Sequence, residues 1–395
     1  MIYLDNGATT FPKPEAVYRA VDEFARNKGV NAGRGAYKAA REANAMIRQV
    51  KQQLLSLIDG REQAEVAFTP SVTIALNMVI NGLTYQSGDV VYVSPYEHNA
   101  VLRPLHLLVK RKGIKVVELP LKKDLSIDLQ QTASLFQVEP PKLVCVTAIS
   151  NVTGYVLPVR EIFTLAKEYG AFTLMDGAQA VGLLKIRFAQ TKADVLTFAG
   201  HKTLYSPFGI AGMYIKNGVD LQEFIVGGNG IQAENPVMPR YMPAKLESGS
   251  MDSVAIAGLA ASLEWLKGVQ SWEEEEKLTR YLLNKLTTVP NINIYLAPGD
   301  CHNQAGVVSI NIDGFRANEV AAILDYKFDI AVRAGHHCAG RIHRYLNSKR
   351  FDGTIRISLG LFNTREDIDR LIDGLKQIDR KTLKNIDDEI LRGNC

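Results

Sequence analysis

From about residue 64 to residue 213, short β-rich runs alternate with longer helical stretches. This alternation favours a mostly parallel sheet with helices on both faces, because parallel strands need crossover connections. The apolar runs are nearly continuous, as expected for strands buried on both faces. The predicted strands are 64–69, 90–94, 142–150, 171–176, 193–200 and 209–215. The sequence therefore predicts an α/β protein.

The pattern changes after this region. Residues 229–251 are rich in Gly, Asn, Pro and Ser, which predicts a long irregular segment near a domain boundary. A helix at 253–267 follows, and after it strand-like runs at 306–312 and 354–359 mix with helical stretches. We therefore expect two domains: a large domain over 15–252 and a smaller α+β domain formed by 1–14 and 253–395.

Composition excludes some classes of function. The 46 Lys and Arg residues nearly balance the 42 Asp and Glu residues, and no basic block suggests nucleic-acid binding. Four widely spaced cysteines without CxxC spacing indicate reduced thiols rather than a disulfide framework. No stretch approaches the ~20 apolar residues needed to cross a bilayer, and no signal peptide is evident. We expect a cytosolic protein that binds neither nucleic acid nor membrane.

Polar residues follow the predicted strands directly, where an open α/β sheet binds its ligands. Singly, these residues have structural explanations, such as a helix N-cap, a loop histidine or a turn asparagine. Together they bring an anion-binding helix start, an imidazole, an amide, a carboxylate and an amine to one edge of one sheet, which favours a binding site. The candidates are Thr69–Thr73, Glu97, His98, Asn151, Asp176, Gln179, His201 and Lys202.

These groups are the parts that hold pyridoxal 5'-phosphate and make it an electron sink. An amine bonds covalently to the cofactor, and Lys202 follows the strand that ends near residue 200. A carboxylate keeps the pyridine nitrogen protonated, and the cofactor ring stacks on a flat aromatic ring. The helix start at Thr73 suits the phosphate, since it offers free N–H groups and the helix dipole.

With these residues in place, the chain resembles the class V aminotransferase-type pyridoxal phosphate enzymes, and within them the cysteine desulfurases, along nearly its whole length. The stretch RAGHHCA is the most specific, and it is similar to the cysteine-bearing loop of the branch related to selenocysteine lyases. The matching stretches are 3–14, the Thr73 region with Asn77, 97–104, 150–154, 176–179, 200–202, 246–250, 333–339 and 356–364. The resemblance implies the pyridoxal phosphate-dependent transferase fold type I.

The resemblance also implies roles for individual residues. Lys202 would bond to the cofactor, Asp176 would pair with its pyridine nitrogen and His98 would stack on its face. Gln179 and Asn151 would lie near its phenolic oxygen and the substrate. The remaining assignments are Thr73 and His201 at the phosphate, Ser250 at the phosphate of the neighbouring subunit in a homodimer, Arg356 at the substrate carboxylate, and Cys338 as sulfur acceptor.

The implied reaction converts L-cysteine into L-alanine and leaves the sulfur on Cys338 as a persulfide, which a sulfur-acceptor protein then receives. The attack requires a thiolate, and Arg333, His336 and His337 could lower the pKa of Cys338 or remove its proton. With His343, these histidines also suggest zinc, but adjacent His-His-Cys rarely wraps one ion. We therefore expect no metal. We expect Cys145 to be buried, and Cys301 and Cys395 to be surface thiols without a role.

Some positions depart from the family's pattern. Ala199 stands where a hydroxyl is common, which removes one expected hydrogen bond to the phosphate. Val72 and Ile74 replace a small residue and a Glu, Asp252 replaces Asn, and Gly-Arg-Ile-His follows the GHHCA motif. These changes lie at the edge of the cofactor site and on the acceptor side, so they bear on affinity and partner more than on reaction type.

Three alternatives stay open at this point. A selenocysteine or cystine lyase, or a class V aminotransferase, would use the same lysine and arginine. A nucleotide-binding or non-enzymatic α/β protein would account for the Thr73 segment alone. Bound cofactor separates the last from the others, and the role of Cys338 separates a desulfurase from a lyase or an aminotransferase.

Overall fold

The computed structural model describes residues 1–32, 35–231, 234–299 and 303–393, so Cys301 and Cys395 lie outside the described residues. Its main feature is a seven-stranded sheet in the order β2-β8-β7-β6-β5-β3-β4. Only β8 runs antiparallel to its neighbours. The strands are β2 Ala64–Thr69, β3 Val90–Val93, β4 Lys115–Glu118, β5 Pro141–Thr147, β6 Phe172–Asp176, β7 Val195–Ala199 and β8 Ala211–Lys216.

The predicted α/β class and mostly parallel sheet are confirmed. In the seven-stranded sheet, all six predicted strands are present within a few residues of their expected bounds, and the edge strand β4 was missed. Its sequence, Lys-Val-Val-Glu, has two apolar residues between charged ones, and its side chains are only partly buried. An edge strand of this kind lacks the long apolar run by which buried strands are recognised.

Helices cover both faces of the sheet, as the alternation predicted. Along β3, Tyr92 packs into the core on one face while Val91 and Val93 pack into the core on the other, since successive side chains point to opposite faces. Helices α3 and α4 cover the second face. The helices of this region are α1 Glu15–Asn27, α2 Lys38–Leu57, α3 Val72–Asn81, α4 Asn99–Lys112, α5 Leu129–Val138, α6 Val159–Glu168, α7 Phe188–Thr191 and α8 Ser253–Leu266.

The C-terminal part forms a four-stranded antiparallel sheet in the order β12-β13-β10-β9 with its own apolar core. The N-terminal strand β1, Ile2–Tyr3, pairs with β11, Ile330–Ala331, so the first residues join this part. The other strands are β9 Ile292–Tyr295, β10 Val307–Ile312, β12 Arg333–Gly335 and β13 Thr354–Ser358. The helices are α9 Ser271–Leu286, α10 Ala317–Phe328, α11 Ile342–Tyr345, α12 Arg365–Lys376 and α13 Arg380–Gly393. The predicted smaller α+β part is therefore present.

The division at 252/253 stays a prediction. Helix α8, which follows that boundary, contributes Ile256, Leu259 and Leu263 to the core of the large sheet. The described residues of the segment 229–251 contain neither helix nor strand. Among the described residues, no helix is long and apolar enough to span a bilayer.

Candidate active site

A cavity of about 210 Å³ opens at the carboxyl ends of the central strands. It is far larger than the ~10–15 Å³ that a single water needs, so it can take a small organic ligand. Seven of the ten predicted site residues line it: Thr73, His98, Asn151, Asp176, Gln179, His201 and Lys202. The other three, Ser250, Cys338 and Arg356, are not part of its lining.

Lys202 follows β7 in a tight turn. The turn needs glycine at position 200, because a Cβ there would lie 2.5 Å from the carbonyl oxygen of Ile210. Among the described residues, Lys202 Nζ has neither a hydrogen bond nor an ion pair. Burial lowers the Lys202 pKa to about 8, although the Asp176 charge opposes the shift. The amine can therefore gain or lose a proton near neutral pH.

Asp176 ends strand β6 and is 5% exposed. Its Oδ1 accepts hydrogen bonds from the Ala178 amide at 3.0 Å and from Thr197 Oγ1 at 3.3 Å. Thr197 lies opposite Asp176 in the neighbouring strand β7. Because a strand end and two donors fix the carboxylate, Asp176 presents a stationary negative charge to the cavity.

His98 is the N-cap of α4, and its Nδ1 accepts a hydrogen bond from the Ala100 amide at 3.0 Å. Burial, followed by the nearby Lys202 charge, lowers the His98 pKa to about 4. The ring is therefore neutral at pH 7 and carries its proton on Nε2. A neutral planar ring held by its own helix start is suited to stacking against another ring.

The other end of the cavity has groups suited to an anion. Ser71 caps α3 by accepting a hydrogen bond from the Ile74 amide at 3.3 Å, and Thr73 lies exposed in the first turn. Burial lowers the His201 pKa to about 3, and its ring stacks on Phe208 with 4.7 Å between ring centroids. Its Nδ1 is buried without a hydrogen-bond partner among the described residues.

The side-chain amides of the two predicted site residues Gln179 and Asn151 both donate hydrogen bonds to backbone carbonyls. Gln179 Nε2 donates to the Gly7 carbonyl at 2.8 Å, which attaches the N-terminal segment to the cavity wall. Asn151 Nδ2 donates to the His337 carbonyl at 2.7 Å, although the two residues are 186 positions apart. Asn151 therefore touches both the cavity and the loop that carries Cys338.

Arg356 lies in β13 and is 2% exposed. One of its terminal nitrogens forms an ion pair with Asp5, and the other donates to the Asn151 carbonyl at 3.2 Å. Arg333 is 3.7 Å from the second carboxylate oxygen of Asp5. Arg356 Nε is buried without a partner among the described residues. The guanidinium thus keeps one unused donor among the described residues.

Cys338 is exposed on a tight loop between β12 and α11. Its φ of 57° and that of His337, 49°, are left-handed, a strained conformation for residues other than glycine. The Cys338 carbonyl accepts from the Asn99 amide at 2.6 Å. His337 Nε2 lies 2.9 Å from Thr354 Oγ1. Contacts to the backbone and to His337 thus fix the loop, while the cysteine side chain stays accessible.

Two histidines near Cys338, His337 and His343, are neutral at pH 7. Burial lowers the pKa of His337 to about 2 and that of His343 to about 4. His343 Nδ1 is 2.8 Å from Ser348 Oγ. In the part of the chain that the structure describes, no group of three or more His, Cys, Asp or Glu residues is arranged to hold a metal ion.

Ser250 lies away from the cavity of its own chain. It is exposed, and its hydroxyl accepts a hydrogen bond from Asn31 Nδ2 at 3.3 Å. Together with Asn31 it lines a separate groove of about 440 Å³. A role for Ser250 at a cofactor site therefore needs a second copy of the chain.

Sequence reasoning missed Lys13. Its Nζ donates to the His201 carbonyl at 2.8 Å and to Thr10 Oγ1 at 2.7 Å, so it braces the turn that carries Lys202. Burial lowers its pKa to about 7. Its place in the matching stretch 3–14 was the available signal, but a lysine beside two prolines has no local pattern that indicates burial.

Comparisons with known proteins agree with this geometry. The chain matches the aminotransferase class-V family over residues 2–371. It is 33% identical over 392 residues to a cysteine desulfurase of Shigella sonnei (strain Ss046), covering 96% of this chain and 94% of the relative. A cysteine desulfurase of Escherichia coli (strain SE11) matches equally well.

Solved structures show the same fold. The apo cysteine desulfurase of Thermococcus onnurineus NA1 superposes with a TM-score of 0.87 at 28% identity, covering 95% of this chain and 94% of that one. The cysteine desulfurase CsdA of Escherichia coli, in an S-sulfonic acid form, gives a TM-score of 0.83 at 26% identity, with coverage of 97% and 94%.

Proposed function

We propose that this chain, which belongs to the aminotransferase class V family, is a pyridoxal 5'-phosphate-dependent cysteine desulfurase. It converts L-cysteine into L-alanine and transfers the sulfur to Cys338 as a persulfide for delivery to an acceptor protein. The observation that carries the proposal is that one cavity contains both an unbonded Lys202 amine and the fixed Asp176 carboxylate.

The residues present fit the cofactor. The cavity combines an amine, a fixed carboxylate, a neutral ring and a helix start. In addition, His201 Nδ1 is buried there without a hydrogen-bond partner among the described residues, and an anionic phosphate would supply one. Once bound, pyridoxal phosphate supplies an electron sink for the bonds at the substrate α-carbon. Lys202 would hold it covalently, Asp176 would pair with its ring nitrogen, and His98 would cover its face.

Lys202 would transfer protons, whereas Asp176 would act as a fixed charge. Because the pKa of Lys202 is lowered to about 8, its free amine can remove the α-proton of the substrate and return a proton later. Asp176 accepts donors from backbone and Thr197, so it stays in place as the charge that favours a protonated ring. Neutral His98 adds no charge to this arrangement.

Arg356 and Asn151 would orient the substrate. The unused Nε of Arg356 suits a carboxylate, and Asp5 holds the guanidinium plane in position. Asn151 lies between this arginine and the cavity, with its carbonyl on Arg356 and its amide on the Cys338 loop. The substrate would therefore be held close to the loop that takes its sulfur.

Cys338 would perform the transfer. Its thiolate attacks the substrate sulfur, a sulfur–sulfur bond forms, and the carbon–sulfur bond breaks with its electron pair passing to the carbon fragment. Protonation of that fragment gives alanine. An exposed cysteine on a narrow loop can then be reached by an outside acceptor.

One experiment tests the assignment directly. The purified protein is incubated with L-cysteine, alanine is measured, and the intact mass is recorded. We expect alanine together with a gain of one sulfur atom that maps to Cys338 and disappears with a reducing thiol. Alanine without a protein-bound sulfur would instead favour a simple lyase.

We also propose a homodimer. Ser250 lies in a groove outside its own cavity, and the neighbouring surface exposes large apolar side chains that a second copy would cover. These side chains are Phe224, Ile225, Val226, Val237 and Tyr241. Sedimentation at micromolar concentration should give a dimer, and a Tyr241→Glu variant should weaken it and lower cofactor retention together. A fully active monomer contradicts the proposal.

A further inference from the structure

Glu97, next to His98, completes the sheet where a strand ends early. Strand β3 stops at Val93, which lies opposite Cys145, whereas β5 continues to Thr147. The Thr147 amide therefore lacks a strand partner on that side. Glu97 Oε1 accepts from this amide at 2.6 Å and from Ser94 Oγ at 2.5 Å. The carboxyl takes the place of the missing strand residue.

This carboxyl connects three parts of the cofactor cavity. Glu97 precedes His98 directly, so fixing its side chain fixes the backbone that starts α4. Thr147, which it holds, lies opposite Asp176 in the sheet register. The turn is closed by a hydrogen bond from the Glu97 amide to the Ser94 carbonyl at 3.3 Å. Glu97 therefore spans the ends of β3 and β5 beside the end of β6.

Glu97 is fully buried, and no cation pairs with it among the described residues. Its Oε2 is buried without any hydrogen-bond partner there. An unpaired carboxylate in such a place is costly, and the usual outcome is that the group keeps its proton. The charged and titratable groups around it are Asp176 in β6, Cys145 in β5 and Arg341 beyond the Cys338 loop.

We propose that Glu97 is a positioning residue that works as a neutral carboxylic acid: it holds His98 and the end of β5 in place without setting a second negative charge beside Asp176. The proposal rests on the proposed function, because it assumes that a cofactor occupies the cavity. Among the described residues, Asp176 is the one acidic side chain that lines the cavity, so it alone would supply a negative charge for the ring nitrogen.

The electrostatics agree with this geometry. Burial raises the Glu97 pKa to about 8, and the Asp176 charge adds to the rise, while the Ser94 and Thr147 hydrogen bonds and Arg341 oppose it. Below pH 8 the group is neutral. Above pH 8 it becomes a second buried anion, which should increase the proton affinity of the Lys202–cofactor unit.

Infrared spectroscopy tests the protonation state without using activity. The difference spectrum between wild type and Glu97→Gln should show the carbonyl stretch of a protonated carboxyl group at pH 6.5, and the band should vanish as pH rises through about 8. The absence of this band at pH 6.5 would mean that Glu97 is ionised, which overturns the proposal.

Variants test the positioning role. Glu97→Gln keeps an acceptor oxygen for Thr147 and should retain cofactor within about twofold of wild type. Glu97→Leu leaves the Thr147 amide without a hydrogen-bond acceptor and should lose cofactor at least roughly tenfold faster. The free-energy cost of an unsatisfied buried donor is large enough to account for a change of this size. Equal retention by both variants, with circular dichroism unchanged, overturns the role.

The visible spectrum of the bound cofactor gives a third measurement. Its pH midpoint should fall in Glu97→Gln by about 0.3 unit or more, because the variant cannot add the second anion. The matched control is Glu275→Gln, which changes another buried carboxyl that accepts from a backbone amide, that of Gly306 at 2.8 Å. An equal shift in both variants points to a general effect of buried charge and contradicts the proposal.

These measurements separate the two proposals. Cofactor retention and spectra do not depend on which amino acid the enzyme consumes, so they stand even if cysteine is not the substrate. If the protein binds no pyridoxal phosphate, the proposed function fails, and the infrared band still decides whether Glu97 is neutral.

Discussion

The cofactor cavity buries its reactive groups, whereas the Cys338 loop exposes its reactive group. In the cavity, Lys202 and Asp176 lie at buried strand ends, and burial keeps the Lys202 pKa at about 8. On the loop, Cys338 is exposed and sits in a left-handed conformation. Bond activation needs fixed charges away from water, whereas handing a sulfur atom to another molecule needs access. The chain meets both needs because the buried charged groups and the exposed cysteine lie in separate parts of the fold.

Two hydrogen bonds connect the regions. Asn151 lines the cavity and donates to the His337 carbonyl, and Asn99, next to His98, donates its amide to the Cys338 carbonyl. Both bonds go to the loop backbone and leave the thiol group unrestrained. The loop can therefore be held close to the cavity while its cysteine stays exposed.

Lys202→Ala should have the largest effect, because it removes the one amine that lines the cavity among the described residues. We expect loss of the covalent cofactor and of all alanine formation. Borohydride reduction of wild type followed by peptide mapping should label Lys202. Lys13, whose pKa is also lowered by burial, is the matched control, and Lys13→Met should still be labelled at Lys202. A label on another lysine contradicts the assignment.

Cys338→Ala should abolish the function of the loop while leaving the cavity intact. Since the cavity does not depend on the thiol, the variant should keep the cofactor and its colour and still show a spectral change with L-cysteine. Alanine release and the gain of one sulfur atom should be lost, because the substrate sulfur is a poor leaving group without an attacking thiolate. Activity with selenocysteine can survive, since selenolate leaves more readily.

Cys145→Ala controls for a general effect of losing a cysteine, since Cys145 is buried in β5. Normal turnover of cysteine by Cys338→Ala would make Cys338 a structural residue. The enzyme would then be a lyase or an aminotransferase, and the comparison between the two regions would lose its functional meaning.

The sequence predicted the cavity better than the loop. Polar residues that follow apolar strands have a local signature, and the rule that ligands bind at the carboxyl ends of parallel strands brings Asp176, His201 and Lys202 together without a structure. Long-range contacts have no such signature. Nothing near Arg356 in the sequence shows that Asp5 neutralises it, or that the Asn151 amide holds the Cys338 loop.

The burial of titratable side chains was equally hard to predict from the sequence. Glu97 was a candidate only because it follows a strand, and Lys13 lay within a matching stretch, but nothing in the sequence around either residue indicates burial. Their surroundings come from segments far apart in the chain: Thr147 for one and His201 for the other. The chemistry could be predicted from the strand ends, whereas the supporting contacts required the fold.

Asn151→Ala should weaken the connection between the two regions. It removes the donor to the His337 carbonyl, which is worth about 0.5–1.5 kcal/mol, and the loop should open more often. We expect faster hydrogen exchange in the loop segment 335–340 and roughly tenfold slower persulfide formation. The cofactor absorbance should remain.

The matched control is Gln179→Ala. Gln179 also lines the cavity, but its amide donates to Gly7 and not to the loop. Its loss should leave exchange in segment 335–340 unchanged. Equal exchange rates in the two variants would show that the loop does not depend on Asn151 in particular.

Ala199→Ser should have the smallest effect and concerns the cavity alone. Ala199 ends β7, is 2% exposed and lines the cavity, at the position where the family resemblance implies a hydroxyl. A serine there could donate a hydrogen bond to the cofactor phosphate, worth roughly 1–3 kcal/mol because the acceptor is charged. The orphaned His201 Nδ1 and the Thr73 helix start already supply donors, so we expect the lower end of this range. Cofactor loss on dialysis should slow severalfold, while exchange in the Cys338 loop stays as in wild type. Unchanged retention would mean that existing donors already satisfy the phosphate, and the cavity would then be complete without the hydroxyl.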